Sequence, residues 1–482
     1  MNSAFGKLYN SSAQFLMIGP NIQDVKSGNS PVRYSFIRTD FSTVATDIIR
    51  VPVPDGTEVA CICVCKELIE PALIFCKSAN SAYDLAQLMI KENITYTDTE
   101  ANAIADWLKD NYHPDWDLVK LLKNGIAIHH GNLPRSIAHY ILQLFNDGHL
   151  KFLLCTSTII EGVNTSAKNI IIYDNKIARD KFDFFTFNNI KGRAGRMFKH
   201  FIGRVYLLND APAEGLPLVD IPVLSAPEDI PITLSFDVPP THELSDFTKE
   251  QLKYLHSQDY LAVDIIRAHP DIFPERQISL AKEISENLAE YSNRLVWKTF
   301  PNADQLKTVC HLIFDILMDK KGVEGIFSAD QLNFKIRNLQ YSIDDGIRNI
   351  ILSELSNKKY CQGPTEAVEK TLSFLRRWGE YNFPKYLSAV NDIQKYVLER
   401  AGFPAGDYNT FSQEVKQWFL PPSATLLEEY GIPFQIALKI EEQFPLGDNI
   451  DDIVANLKNV DLTKVSLSRI EKSIVQDALA DL

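Results

Sequence analysis

Four short stretches of the chain carry residues whose types and spacing suit phosphate chemistry. "NIKGRAGR" (189–196) sets Arg193 and Arg196 three apart around Gly195, and planar guanidinium forks in such a pattern can hold the terminal phosphates of a nucleotide. "TSTIIEGVN" (156–164) offers the hydroxyls of Thr156, Ser157 and Thr158, which with nearby N–H groups can hold backbone phosphates without reading any base. "HHGNLPR" (129–135) and "KSANSA" (77–82) are the other two. Plainer readings stand beside these. The hydroxyl run also suits a helix cap, and an arginine pair beside glycines also suits a surface salt-bridge cluster. One of His129 and His130 packs at a strand end, with no metal partner in the pattern. Lys77 and Asn80 read as solvated loop residues, a phosphate contact by Lys77 being the sharper alternative.

These stretches need a frame to hold them. "ALIFC" (72–76), "GIAIHH" (125–130), "KFLLCT" (151–156) and "NIIIYD" (169–174) are short apolar runs, the pattern of parallel strands buried on both faces. Helices separate them. In "RSIAHYILQLFNDG" (135–148), Ile137, Tyr140, Ile141, Leu144 and Phe145 recur at helical spacing. "EVACICVC" reads as a further strand with Cys61, Cys63 and Cys65 on one face. Residues 57–210 therefore predict one doubly wound α/β domain. Ligands of such a domain bind at the carboxyl ends of its strands, and all four stretches read as loops at that edge.

The whole chain, 482 residues with 45% hydrophobic content, has room for two to four domains. Seven prolines within 211–240 mark an extended connector. From 241 to 482 the pattern is helical, with "SADQ" (328–331) and "TLLE" (425–428) read as capping boxes. "LLEEYGIPFQIALKI" (426–440) has the outline of a helix-hairpin-helix, but Pro433 replaces its second glycine, which favours an ordinary helix-turn-helix packing element. Seven cysteines form no disulfide framework, and zinc-ligand spacing is missing around "CICVC". No apolar run reaches the roughly 18 residues of a membrane helix, and "MNSAFGKLYNSS" lacks the order of a signal peptide. A cytoplasmic location without a membrane partner is expected. The net charge of −13 argues against non-specific polyanion binding. Locally the balance reverses, since Lys168 to Arg204 holds nine Lys or Arg against three Asp.

In this order and spacing the four stretches resemble motifs IV, IVa, V and VI of superfamily 2 helicases, in the superkiller-type DExH branch. "HHGNLPR" is similar to the family's H-H-G/A-x-L-P-R, "TSTIIEGVN" to T-S-T-x-A-x-G-V-N, and "NIKGRAGR" to Q-x-x-G-R-A-G-R. The resemblance implies a RecA-like domain over 57–210, ATP with Mg²⁺, and a DNA or RNA strand as partner. It implies that Arg193 and Arg196 act on the triphosphate, Arg196 as arginine finger. Gly162, Asn164, Asn189 and Gly192 would line the nucleotide, with Asn189 shorter than the family's glutamine. Lys77, Gly131, Arg135, Thr156, Ser157 and Thr158 would touch the strand. "IGPNI", "IIEGVN" and the long helical tail are similar to Hachiman-type anti-phage defence helicases.

Half of such an engine is missing from these residues. The sequence has no G-x-x-x-x-G-K-S/T loop and no D-E-x-H strand, the parts that cradle phosphate and hold Mg²⁺. "AQFLMIGPNI" (13–22) is similar to the motif III region, with Gly19-Pro20-Asn21 where the family has Ser-Ala-Thr. The expectation is that residues 1–56 are a remnant of the first RecA-like domain and a linker. The chain would then be inactive as an ATPase alone, and completed by an amino-terminal helicase half or another defence-system subunit. An expectation of a different class is a non-enzymatic module, a pseudo-helicase subunit that binds a strand or a partner protein without an ATP cycle.

Overall fold

A computed structural model describes residues 23–26, 37, 45–159, 165, 167–177, 180–195, 202–213, 215, 218–220, 232–235, 244–319, 325–343 and 346–481. The motif III-like segment and Gly162, Asn164 and Arg196 lie outside the described residues. Two compact units are present. The sheet unit comprises Asp40–Gly215, Ser342–Ser373 and Leu420–Leu482. The helical unit comprises Met1–Thr39, Leu216–Tyr341 and Phe374–Phe419, so the helical sequence after 240 is divided between the two.

The sheet unit is built on six parallel strands. In chain order these are β1 (Ala45–Arg50), β2 (Ala72–Phe75), β3 (Ile126–His129), β4 (Phe152–Cys155), β5 (Asn169–Ile172) and β6 (Ile202–Leu207), arranged β1-β6-β5-β2-β4-β3. β2 to β5 are buried throughout, as their mainly apolar runs require, with His129 and Asn169 buried at two strand ends. Register is aligned across the middle, with Phe75 opposite both Cys155 and Ile172. From β2 the chain goes to β3 at one edge, returns to place β4 between β3 and β2, then crosses to β5 and β6 on the other side.

Parallel strands need long crossovers, usually helical. Here they are α1 (Thr57–Glu67), α2 (Ala79–Lys91), α3 (Thr99–Asn111), α4 (Asp117–Leu122), α5 (Arg135–Asn146) and α6 (Phe184–Lys191). α1 corrects the sequence reading, because "EVACICVC" is helical, not a strand. Its Cys61 and Cys65 are buried one turn apart while Cys63 faces solvent. The reason is topological: β1, which the apolar pattern did not reveal, already occupies the sheet edge beside β6, and the chain must cross from it to β2. Local strand preference yields to that requirement.

Among the described residues, six further helices belong to this unit: α7 (Ile347–Ser356), α8 (Pro364–Phe374, whose last residue belongs to the helical unit), α9 (Pro422–Glu429), α10 (Phe434–Glu441), α11 (Ile450–Asn459) and α12 (Arg469–Asp481). "TLLE" is not a capping box, because α9 begins three residues earlier, at Pro422, and Glu428 is buried near its far end. "SADQ" does cap its helix, Ser328 Oγ accepting from the Gln331 N–H at 3.1 Å.

In the helical unit, helix 383–400 buries Phe383, Leu387, Val390, Ile393 and Val397 and packs on helix 274–286. Trp297 stacks on Tyr408 with centroids 3.9 Å apart. Within the proline-rich connector, Leu218–Asp220 pairs with Asp24–Lys26 in a parallel ribbon and Ile232–Ser235 forms one helical turn.

Candidate nucleotide and nucleic-acid site

Two of the four motifs meet at the carboxyl edge of the sheet. β4 ends at Cys155, and the next N–H, of Thr156, donates to the His129 carbonyl at 3.2 Å, tying the end of β4 to the end of β3. Thr156 is buried, and its Oγ1 lies 3.3 Å from Thr158 Oγ1. Ser157–Ile159 forms a single helical turn. A Cβ on Gly131 would stand 3.0 Å from the Thr158 methyl, so the two loops touch where Gly131 has no side chain. Gly131, Thr156, Ser157 and Thr158 therefore share one patch.

Lys77 follows β2 at the same edge. Its N–H donates to Asp174 Oδ2 at 2.9 Å, and its Nζ pairs with Asp174 Oδ1 at 3.5 Å. Ser81 Oγ also donates to Asp174 Oδ2, at 2.7 Å, while Ser78 Oγ caps α2 by accepting from the Ser81 N–H. Asp174, just past β5, thus fixes the whole 77–81 turn. The sequence reading passed over it, although its position closing "NIIIYD" was the available signal.

The arginine turn is elsewhere. A crossover helix runs antiparallel to the strands, so α6 delivers Asn189, Gly192 and Arg193 to the amino edge, where the chain goes on to β6. There the Gly195 N–H donates at 2.8 Å to the carbonyl of Ala167, which precedes β5. The expectation that all four motifs are carboxyl-edge loops is corrected on this point. A four-residue strand separates the edges by roughly 13 Å. The two glycines also differ. Gly192 has ordinary helical φ of −64°, whereas Gly195 is left-handed at 81°. Buried Ala194 sits against Gly203 of β6, where an added Cβ would come within 2.5 Å of the Ala194 carbonyl carbon. Gly203 was not singled out in the sequence, yet a glycine interrupting "IGRVYL" signals such close backbone approach. Asn189 is half-buried. Arg193 is half-buried too, and that burial pushes its guanidinium pKa below the ordinary value.

Carboxylates from the late helices of the same unit engage the third motif. His130, buried, has Nε2 3.3 Å from Glu369 Oε1 of α8, too poorly aligned for a hydrogen bond. The Tyr83 hydroxyl donates to that oxygen at 2.8 Å and accepts from Trp116 Nε1 at 3.1 Å. Burial, reinforced by the Glu369 charge, pushes the Tyr83 phenol well up. α5 has no side-chain cap of its own. Instead Glu428 Oε1 accepts from the Ser136 N–H at 3.1 Å and from the Ser136 hydroxyl, while its Oε2 accepts from the Phe434 N–H at 2.9 Å. Beside it, Glu429 pairs with Arg135. The sequence marked Glu428 only as the acid of a capping box that is not formed, and no local signal marked Glu369 or Glu429. Among the described residues, no group of three or more His, Cys, Asp or Glu is placed to hold a metal ion, so ligands for the Mg²⁺ of a bound ATP are not assigned to them. No helix among them is long and apolar enough to cross a membrane.

The helix-covered parallel sheet carries its motif loops in the chain order of the carboxyl-terminal RecA-like region of superfamily 2 helicases. Residues 108–198 match the helicase conserved C-terminal domain. Anti-bacteriophage protein B of Escherichia coli (strain K12) is 30% identical over 511 aligned residues, covering 99% of this chain and 68% of that protein. The chain belongs to the family of that protein and spans about two thirds of its length. Hachiman protein HamB of Bacillus cereus is 31% identical over 110 residues, 21% of this chain and 10% of HamB. ATP-dependent DNA helicase Hel308 of Thermoplasma acidophilum is 29% identical over 145 residues, 29% of this chain and 20% of Hel308.

Proposed function

We propose that this chain works as the second RecA-like lobe and accessory helices of a nucleic-acid motor in anti-phage defence. Arg193 and Arg196 face the triphosphate of ATP, while Gly162, Asn164, Asn189 and Gly192 shape the nucleotide's side of the cleft. Lys77, Gly131, Arg135, Thr156, Ser157 and Thr158 hold the sugar–phosphate backbone of a DNA or RNA strand. A lobe bearing the phosphate loop and the D-E-x-H acid supplies the remaining half, including the ligands of Mg²⁺. The chemistry asked of this chain is electrostatic: guanidinium forks neutralise charge that builds up as the phosphoryl group transfers.

The observation that carries the reading is the packed contact of Gly131 with Thr158, which joins two motifs into one surface. Such a patch of hydroxyls suits phosphate contacts that slide along a strand, because they carry no base information. The test is nucleic-acid-stimulated ATP hydrolysis by the chain together with the phosphate-loop lobe. Arg196→Ala should cut the rate by about 10³-fold or more, the scale of an arginine finger. A rate unchanged by that substitution would sink the reading.

A further inference from the structure

We propose that Glu429 is a built-in competitor for the strand, a carboxylate that occupies Arg135 until a backbone phosphate displaces it. This rests on the reading above that Arg135 meets phosphate. Arg135 is the first residue of α5, and Glu429 is the last of α9. Each charge sits at the wrong end of its helix, a cation at the positive terminus and an anion at the negative one. Their ion pair relieves both misplacements, and a phosphate would relieve that of Arg135 equally well.

The two neighbouring glutamates divide the task. Glu428 is 7% exposed and satisfied by three donors, which anchors the end of α9 against α5. Glu429 is delivered by that anchorage to Arg135, and both side chains of the pair stay open to solvent, at 54% for Arg135 and 42% for Glu429. Lys77 provides the internal contrast. Its partner Asp174 is only 15% exposed and also holds the Lys77 N–H and the Ser81 hydroxyl, so releasing it would undo the loop. Release of Glu429 leaves the three Glu428 contacts that anchor α9 in place. Phosphate offers the same charge in a geometry that suits the guanidinium fork at least as well. An exposed pair of this kind is a weak barrier, which sets the expected scale at about two- to five-fold in affinity.

The experiment is fluorescence anisotropy of the full chain with labelled single-stranded dT and U oligonucleotides, at salt between about 50 and 200 mM. Glu429→Gln should tighten binding about two- to five-fold, Arg135→Gln should weaken it, and the double variant should match Arg135→Gln. Three results overturn the proposal, and they differ in what else they remove. Glu429→Gln without effect, while Arg135→Gln weakens binding, removes the competition and leaves Arg135 as a strand contact. Equal tightening with and without Arg135 shows general charge repulsion instead of competition. Arg135→Gln without effect in either background removes the underlying assignment of Arg135. The DNA and RNA arms report which strand is held, and a thermal melt of each variant confirms that the exposed substitutions leave the fold intact.

Discussion

Replacing Gly203 with alanine adds one methyl group in the worst available place. The new Cβ would lie 2.5 Å from the carbonyl carbon of Ala194, 2.6 Å from its oxygen and 2.7 Å from its Cβ. Carbon atoms pack at about 3.5–4.0 Å, so the turn must retreat by about 1 Å. Two of the three atoms are backbone, and a rotamer change cannot absorb the shift. The turn is also pinned from its other side by the Gly195–Ala167 hydrogen bond at 2.8 Å. Overpacking of this kind costs about 1–3 kcal/mol of stability, readable as a lower urea midpoint with unchanged slope. Displacing a catalytic group by about 1 Å costs on the order of 10²-fold in rate. On the proposed role of the arginines, ATP hydrolysis by the chain together with the phosphate-loop lobe should fall about 10²-fold, at a temperature where a melt shows the variant folded. A folded Gly203→Ala protein with hydrolysis within about three-fold of the parent would refute the idea that this contact positions the arginines.

Other expectations follow from single side chains. Glu428→Ala strands the Ser136 N–H, the Ser136 hydroxyl and the Phe434 N–H in a buried setting, so chemical denaturation should show a loss of about 3 kcal/mol or more. In the helical unit, the hydrogen bond from His269 holds the Asp392 carboxyl below its usual range. A depressed carboxylate pKa contributes stability that is present above the unfolded value, about 3.9, and lost as pH falls through the folded value. The destabilisation by Asp392→Asn should thus be full near neutral pH and fade below about pH 4, as measured by denaturant titration across that range.

Much of the sheet was legible because buried parallel strands leave a plain mark. "ALIF", "IAIH", "FLLC" and "NIII" are apolar except for His129 and Asn169 at two strand ends, and every position is buried since both faces are covered. α5 was equally clear, its buried Ile137, Tyr140, Ile141, Leu144 and Phe145 matching the helical period. β1 was not, because an edge strand that is largely exposed has a mixed pattern. Missing it left no reason to make α1 a crossover, and the alternating cysteines then looked like a strand. The arginine turn was recognised by composition and placed at the wrong edge, because edge assignment depends on counting α6 as a crossover helix.

By itself the sequence determined the local chemistry: which loops carry hydroxyls, arginines and glycines, and which segments must be buried. Those properties belong to short windows and follow from residue type and period. Only the tertiary structure decided which carboxylate meets which cation. Asp174 is 97 residues from Lys77, and Glu428 is 292 from Ser136, so no local pattern links them. Their pairing depends on how strands and late helices stack, and it leaves Asp174 locked while Glu429 remains free to yield.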